Sequence, residues 1–139
     1  MEAALFGSRF HEALAKLEGV TDPVDLIALT AHVSRAIYDG ESAELGLLRG
    51  ASAFSPGLRK LEREFEQKRM EMQSARVQLL FAHSKQAKDL SFDEARRILW
   101  MYTSRDVYRM LVLEGGWASE RYQEWLSATL LKALVRDRA

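Results

Sequence analysis

The stretch from Ile98 to Leu126 constrains the fold more than any other part of the chain. Ile98, Leu99, Trp100, Met101 and Tyr102 lead, past Thr103–Asp106, into Val107, Tyr108, Met110, Leu111 and Val112. Gly115-Gly116 follows, and then Trp117, Tyr122, Trp125 and Leu126. The run lacks period-two alternation, so it reads as helix, and the glycine pair breaks it into two. The first of these helices is apolar nearly all round, which implies burial on several sides. On the second, Tyr122, Trp125, Leu126, Thr129, Leu130, Ala133 and Leu134 recur at helical spacing and form one core-facing stripe. Ala128, Leu131 and Val135 make a shorter apolar line beside it. That line fits burial against another chain, or deep insertion of the helix in its own core.

The remaining punctuation is helical too. Glu2–Glu18 carries an apolar face and meets a stop at Gly19. Asp22-Pro23 restarts the chain with a capping side chain followed by a first-turn proline. This second helix is expected to reach about Tyr38, with Asp39-Gly40 as its break. A short third helix is expected over Glu41 to about Ala53. Ser55-Pro56 opens a long fourth helix to about His83, heavily charged through its middle. Ser91 and Glu94 form a capping-box pattern, the strongest helix start in the sequence. The fifth helix is expected to run unbroken from there to about Leu113, and the sixth from Ser119 to Val135. The reading is an all-α, single-domain helical bundle of about six helices.

Composition narrows the function classes. The 139 residues hold 20 basic and 20 acidic side chains and no cysteine. A balanced charge gives no general attraction to phosphate backbones, and no thiolate metal site or disulfide is available. No apolar run approaches the roughly 20 residues of a membrane span, and no signal peptide precedes the first helix. No membrane partner is expected, and a cytoplasmic location is the default. The motifs of metalloproteases, phosphate-binding loops and serine hydrolases are all missing. His11, His32 and His83 stand apart in the sequence, and Glu62, Glu64, Glu66 and Glu71 alternate with Arg63, Lys68 and Arg69 as a solvated face does. No catalytic residue, metal ligand or cofactor is assigned. Thr103, Ser104, Arg105 and Asp106 interrupt an otherwise apolar helix. Either they line a cavity, or the two hydroxyls bond back to carbonyls one turn earlier while Arg105 and Asp106 sit at the surface.

Leu99-Trp100, Thr103-Ser104, Val107-Tyr108, Gly116-Trp117, Glu120-Arg121-Tyr122 and Trp125-Leu126 together resemble the last two helices of TetR-family transcriptional regulators. The resemblance extends more weakly over Asp22 to Leu134. It departs at Ala118-Ser119, where the family often has Ser-Pro, and at Arg105, where proline is common. It implies a homodimer with Tyr108, Trp117, Trp125, Ala128, Leu131 and Val135 at the interface. It also implies a pocket for a small hydrophobic effector, with His32, Phe54, Met72, Arg76, Trp100, Thr103 and Ser104 as candidate ligand-binding residues. In that frame residues 1–18 are the tail of a helix linking to a missing N-terminal helix-turn-helix DNA-binding domain. Residues 19–139 are then the ligand-binding and dimerisation domain, with no nucleic-acid contact of its own. The alternative is a helical dimerisation or protein-interaction module with no small-molecule ligand. A helical enzyme or metal protein is a more distant rival.

Overall fold

A computed structural model describes residues 8–44 and 56–136 of the chain. Within them the architecture is all-α. Helices α1 (Ser8–Leu17), α2 (Pro23–Glu44), α3 (Pro56–Ala82) and α4 (Phe92–Tyr102) come first. A single α turn, α5 (Arg105–Tyr108), then widens into a π-helical segment at Arg109–Glu114, and α6 (Ser119–Leu134) closes the bundle. Phe54 and most of the expected third helix lie outside the described residues.

The bundle is assembled around α6. Tyr122, Leu126, Leu130 and Leu134 recur every fourth residue and are fully buried, so one face of α6 points inward along its whole length. Ile27, Ala31 and Ile37 of α2, Phe65, Val77 and Leu80 of α3, and Ala95 and Leu99 of α4 complete the core with them. Each buried leucine contributes about 1.5–3 kcal/mol relative to leaving it in water. Helix α1 lies on α2 through the buried Ala13. The far end of α6 is tied to the α3–α4 connection, where Ala87 N donates to Leu134 O and Arg136 N to Lys85 O, both at 2.8 Å.

The starts of α2 and α4 are those the sequence signals. Asp22 Oδ1 accepts from Val24 N at 2.8 Å ahead of Pro23. Ser91 Oγ accepts from Glu94 N at 3.1 Å, while Ser91 N donates to Glu94 Oε1 at 3.0 Å. The second of these bonds holds the Glu94 carboxyl below the usual carboxylate range. Its contribution is therefore present at neutral pH and is lost as the pH falls through that lowered value.

Two boundaries differ from expectation, each for a tertiary reason. Helix α2 does not stop at Asp39-Gly40 but continues to Glu44. A glycine inside a helix costs about 1 kcal/mol, and side-chain contacts on both sides offset it. Asp39 accepts from Arg35 one turn earlier and from the Tyr108 hydroxyl at 2.6 Å, while Glu41 is held by Arg105. The fifth helix, expected to be continuous, breaks at Thr103-Ser104. Ser104 is extended and caps a new turn by accepting from Val107 N at 3.4 Å.

The glycine pair acts through two different restraints. Gly116 has φ +72°, a conformation that penalises a side chain whatever the space. Gly115 has ordinary φ, but a Cβ there would meet the Leu111 carbonyl oxygen at 2.6 Å and that of Met110 at 2.9 Å. Thermal denaturation should therefore separate the two sites. Gly116→Ala is expected to cost about 1 kcal/mol, and Gly116→Asn less than Gly116→Val. Gly115→Ala should cost more than Gly116→Ala, because the backbone of the π-helical segment must move.

Candidate functional site

A polar seam runs through the core where α2, α3 and α4 meet. Helix α2 supplies Thr30, Ser34, Tyr38 and Glu41, and α3 supplies Arg69, Gln73 and Arg76. The break after α4 supplies Thr103. All are buried except Arg76, which is half-buried. Buried polar groups persist only when they are partnered, so the partners reveal what the seam is built to do.

Thr103 is its centre. The side chain is 0% exposed, and its hydroxyl donates to Leu99 O at 2.6 Å. The same oxygen accepts from Arg69 Nη1 at 2.8 Å and from Gln73 Nε2 at 2.7 Å. A hydroxyl has one donor and two acceptor sites, so this one is fully used by the protein. The Thr103 carbonyl accepts from the Tyr38 hydroxyl at 2.7 Å. Burial pushes that phenol up to about 12, so it stays protonated and donating throughout the physiological range.

Two ionic arrangements flank the centre. Arg69 pairs with Glu66 at 2.8 Å, and its guanidinium lies 5.3 Å from the centre of the Trp100 ring. Trp100 Nε1 donates to the same Glu66 carboxylate at 3.1 Å. Arg105 grips Glu41 with Nε and Nη2, each at 2.9 Å, and lies over Tyr38 and Phe65. Arg105 is therefore a seam residue and not the surface residue that one sequence reading made it, while Asp106 is exposed as that reading expected. At the opposite end Arg76 Nη1 donates to Thr30 Oγ1 at 3.1 Å.

Some polar capacity is left over. Gln73 Oε1 and the Tyr122 hydroxyl are buried with no hydrogen-bond partner. Burial pushes the Tyr122 phenol up strongly, so it too is a neutral group. Among the described residues no group of three or more His, Cys, Asp or Glu is placed to hold a metal ion. The seam pairs no nucleophile with a base. It offers hydrogen-bonding and cationic groups, which suit it to holding a polar group.

Of the ligand-binding residues expected from sequence, the structure brings Arg76, Trp100 and Thr103 onto the seam. Met72 is half-buried on α3 and packs against the core, and Ser104 is occupied as a helix cap. His32 lies elsewhere, in a cleft of about 210 Å³ lined also by Glu12, Lys16, Arg35 and Asp39. Phe54 is outside the described residues. Tyr38, Arg69 and Gln73 are not among the site residues expected from sequence, and Tyr122 is expected there only as a core residue, which its burial bears out. A signal for Tyr38, Arg69 and Gln73 exists in the sequence: Thr30, Ser34 and Tyr38 follow one another every fourth residue on α2, as Phe65, Arg69 and Gln73 do on α3.

The expected interface residues divide similarly. Tyr108 is 4% exposed within its own chain, tilted against the Tyr38 ring and edge to face with Tyr122, so it belongs to the core and not to an outer face. Trp117 and Trp125 meet edge to face at 6.1 Å and are half-buried. Leu131 and Val135 line a groove with Val24 and Ala28 of α2. Ala128 is exposed, among the exposed charged residues Arg121, Glu124 and Lys132.

No family model, curated protein or solved structure matches the chain significantly.

Removing the central hydroxyl should be costly. Thr103→Val leaves Gln73 Nε2 and one Arg69 hydrogen bond without an acceptor and is expected to lower stability by about 2–3 kcal/mol in urea unfolding. Thr103→Ser keeps the oxygen and should lose about 1 kcal/mol or less. Glu41→Leu alone strands Arg105 and should cost about 3–5 kcal/mol. The double variant Glu41→Leu/Arg105→Met should recover most of that loss, as a double-mutant cycle would read.

Proposed function

We propose that this chain is the effector-binding and dimerisation domain of a TetR-like transcriptional regulator. It holds a small, largely apolar molecule and passes its presence to DNA-binding heads outside this domain. The observation that carries the reading is the polar seam with Gln73 Oε1 buried in it without a partner, together with the Tyr122 hydroxyl of α6, which is likewise buried and unpartnered. Each such group costs roughly 1–3 kcal/mol when left unpaired. Sites of this composition, mostly apolar with a few convergent polar groups, are those that orient small ligands. The helix–Gly-Gly–helix pattern of α4 to α6 supports the family reading through its sequence resemblance.

Dimerisation is supported by apolar surface beside the aromatic joint. Met101, Met110 and Leu113 are 49%, 50% and 60% exposed, next to the Tyr102–Trp125–Trp117 ring contacts. A second copy would cover them. Met110→Glu/Leu113→Glu should shift the solution mass from dimer to monomer in light scattering while leaving helicity intact. Charge on the groove side of α6, as in Ala128→Glu/Leu131→Glu, reports whether the interface reaches that far.

The saturation of the Thr103 hydroxyl by protein groups favours a second reading, a helical dimerisation module with no ligand. Saturable binding of a small apolar molecule, read through Trp100 fluorescence beside the seam, decides between them. A dimer that binds no such molecule leaves the interaction module standing.

A further inference from the structure

Among the arginines that reach between helices, Arg76 stands apart. Arg69 has Glu66, Arg105 has Glu41, and Arg35 has Asp39 and Glu120. Arg76 donates to Thr30 Oγ1 through Nη1, and among the described residues no ion pair joins it to a carboxylate. Its environment acts on it through desolvation alone, which lowers its pKa to about 10 and leaves it charged at neutral pH. A half-buried cation without a counterion destabilises the fold unless something external neutralises it.

The geometry of what is left free is informative. With Nη1 engaged on Thr30, the Nε–Nη2 edge of the guanidinium remains. That edge matches a carboxylate with two parallel hydrogen bonds. The same protein shows the fit at Arg105, whose Nε and Nη2 take the two oxygens of Glu41 at 2.9 Å each. Gln73 lies three residues before Arg76 on α3, a spacing that puts Cβ atoms about 5–6 Å apart on one helix face. Its Oε1, 2% exposed by residue, is an acceptor with no donor. Met72, half-buried four residues before Arg76, provides an apolar neighbour on the same helix.

We propose that Arg76 docks the carboxylate of a small amphipathic carboxylic acid, with Gln73 Oε1 accepting from a hydroxyl on the same molecule. This rests on the effector-binding reading above and names the chemistry of its ligand. One cation balances one negative charge. A phosphate dianion would bring a surplus charge into a poorly solvated place, where it is costly, so a carboxylate is the better match. The hydroxyl supplies the donor that Gln73 lacks, and the apolar body covers α3.

The test uses benzoate and its three monohydroxy derivatives as probes, with benzamide and inorganic phosphate as comparators. Binding is followed by calorimetry and by the shift in Tm. Benzoate is expected to bind at least tenfold more tightly than benzamide, and one hydroxybenzoate tighter still. Arg76→Met should lose that preference, with Arg76→Lys intermediate, and Gln73→Leu should lose the gain from the hydroxyl. Without any ligand, Arg76→Met should raise Tm by about 3–5 °C, since the unpaired charge is gone. Equal binding of benzamide and benzoate, or a preference for phosphate, overturns the carboxylate site and leaves the effector-binding reading intact. A fall in Tm for unliganded Arg76→Met also overturns it, because Arg76 would then be structural. Failure of every probe, neutral or charged, overturns both.

Discussion

The hydroxyl of Thr103 is the interaction around which the rest is organised. It sits where α4 ends, and it joins that end to two side chains of α3, while its own carbonyl receives the Tyr38 hydroxyl from α2. Three helices are thus fixed to one residue at a point with no water to compete. In such surroundings a hydrogen bond is electrostatically stronger than in water, and its absence is correspondingly expensive. The apolar contacts of the core, α6 among them, drive folding but are non-directional. Angular precision comes from this one threonine.

The same residue explains the break in the helix. A continuous helix through Thr103-Ser104 would leave α4 and the π-helical segment on one straight axis, with Tyr108 and Arg105 carried away from α2. Interrupting it lets Arg105 reach Glu41 and Tyr108 reach Asp39. Those two contacts in turn hold α2 helical across Asp39-Gly40, a place where local preference favours a stop. Fold and seam are therefore mutually dependent, and the polar groups are not an ornament on a finished apolar bundle.

This dependence marks the limit of what the sequence discloses. Local signals are reliable where the cause is local: the Asp22-Pro23 start, the Ser91–Glu94 box and the glycine pair all act within one turn of backbone. The inward stripe of α6 is legible because its period is unmixed. The errors fall where a distant partner decides. Asp39-Gly40 looks like a terminator until Tyr108 and Arg105, more than sixty positions away, are placed beside it. Arg69 and Gln73 look solvated because α3 is so rich in charge, and their phase with Phe65 is hidden among Glu62, Glu64 and Lys68. Tyr108, an aromatic on an all-round apolar helix, could serve an outer face or an inner one, and the choice rests with Asp39. Thr103 and Trp100 were visible as candidates, but whether a threonine faces a cavity or a guanidinium is not written in its neighbours.

The wide turn at Arg109–Glu114 has a consequence for how the chain can vary. A π-helical stretch holds one more residue than an α-helix needs to cover the same span. The segment from Tyr108 to the glycine joint therefore contains slack. Removal of a residue there can be absorbed by tightening to α geometry, whereas removal anywhere in α6 rotates Tyr122, Leu126, Leu130 and Leu134 out of register together. Between the break at Thr103-Ser104 and the end of α6, a length change is best absorbed in the stretch that presents Met110 and Leu113 to the outside.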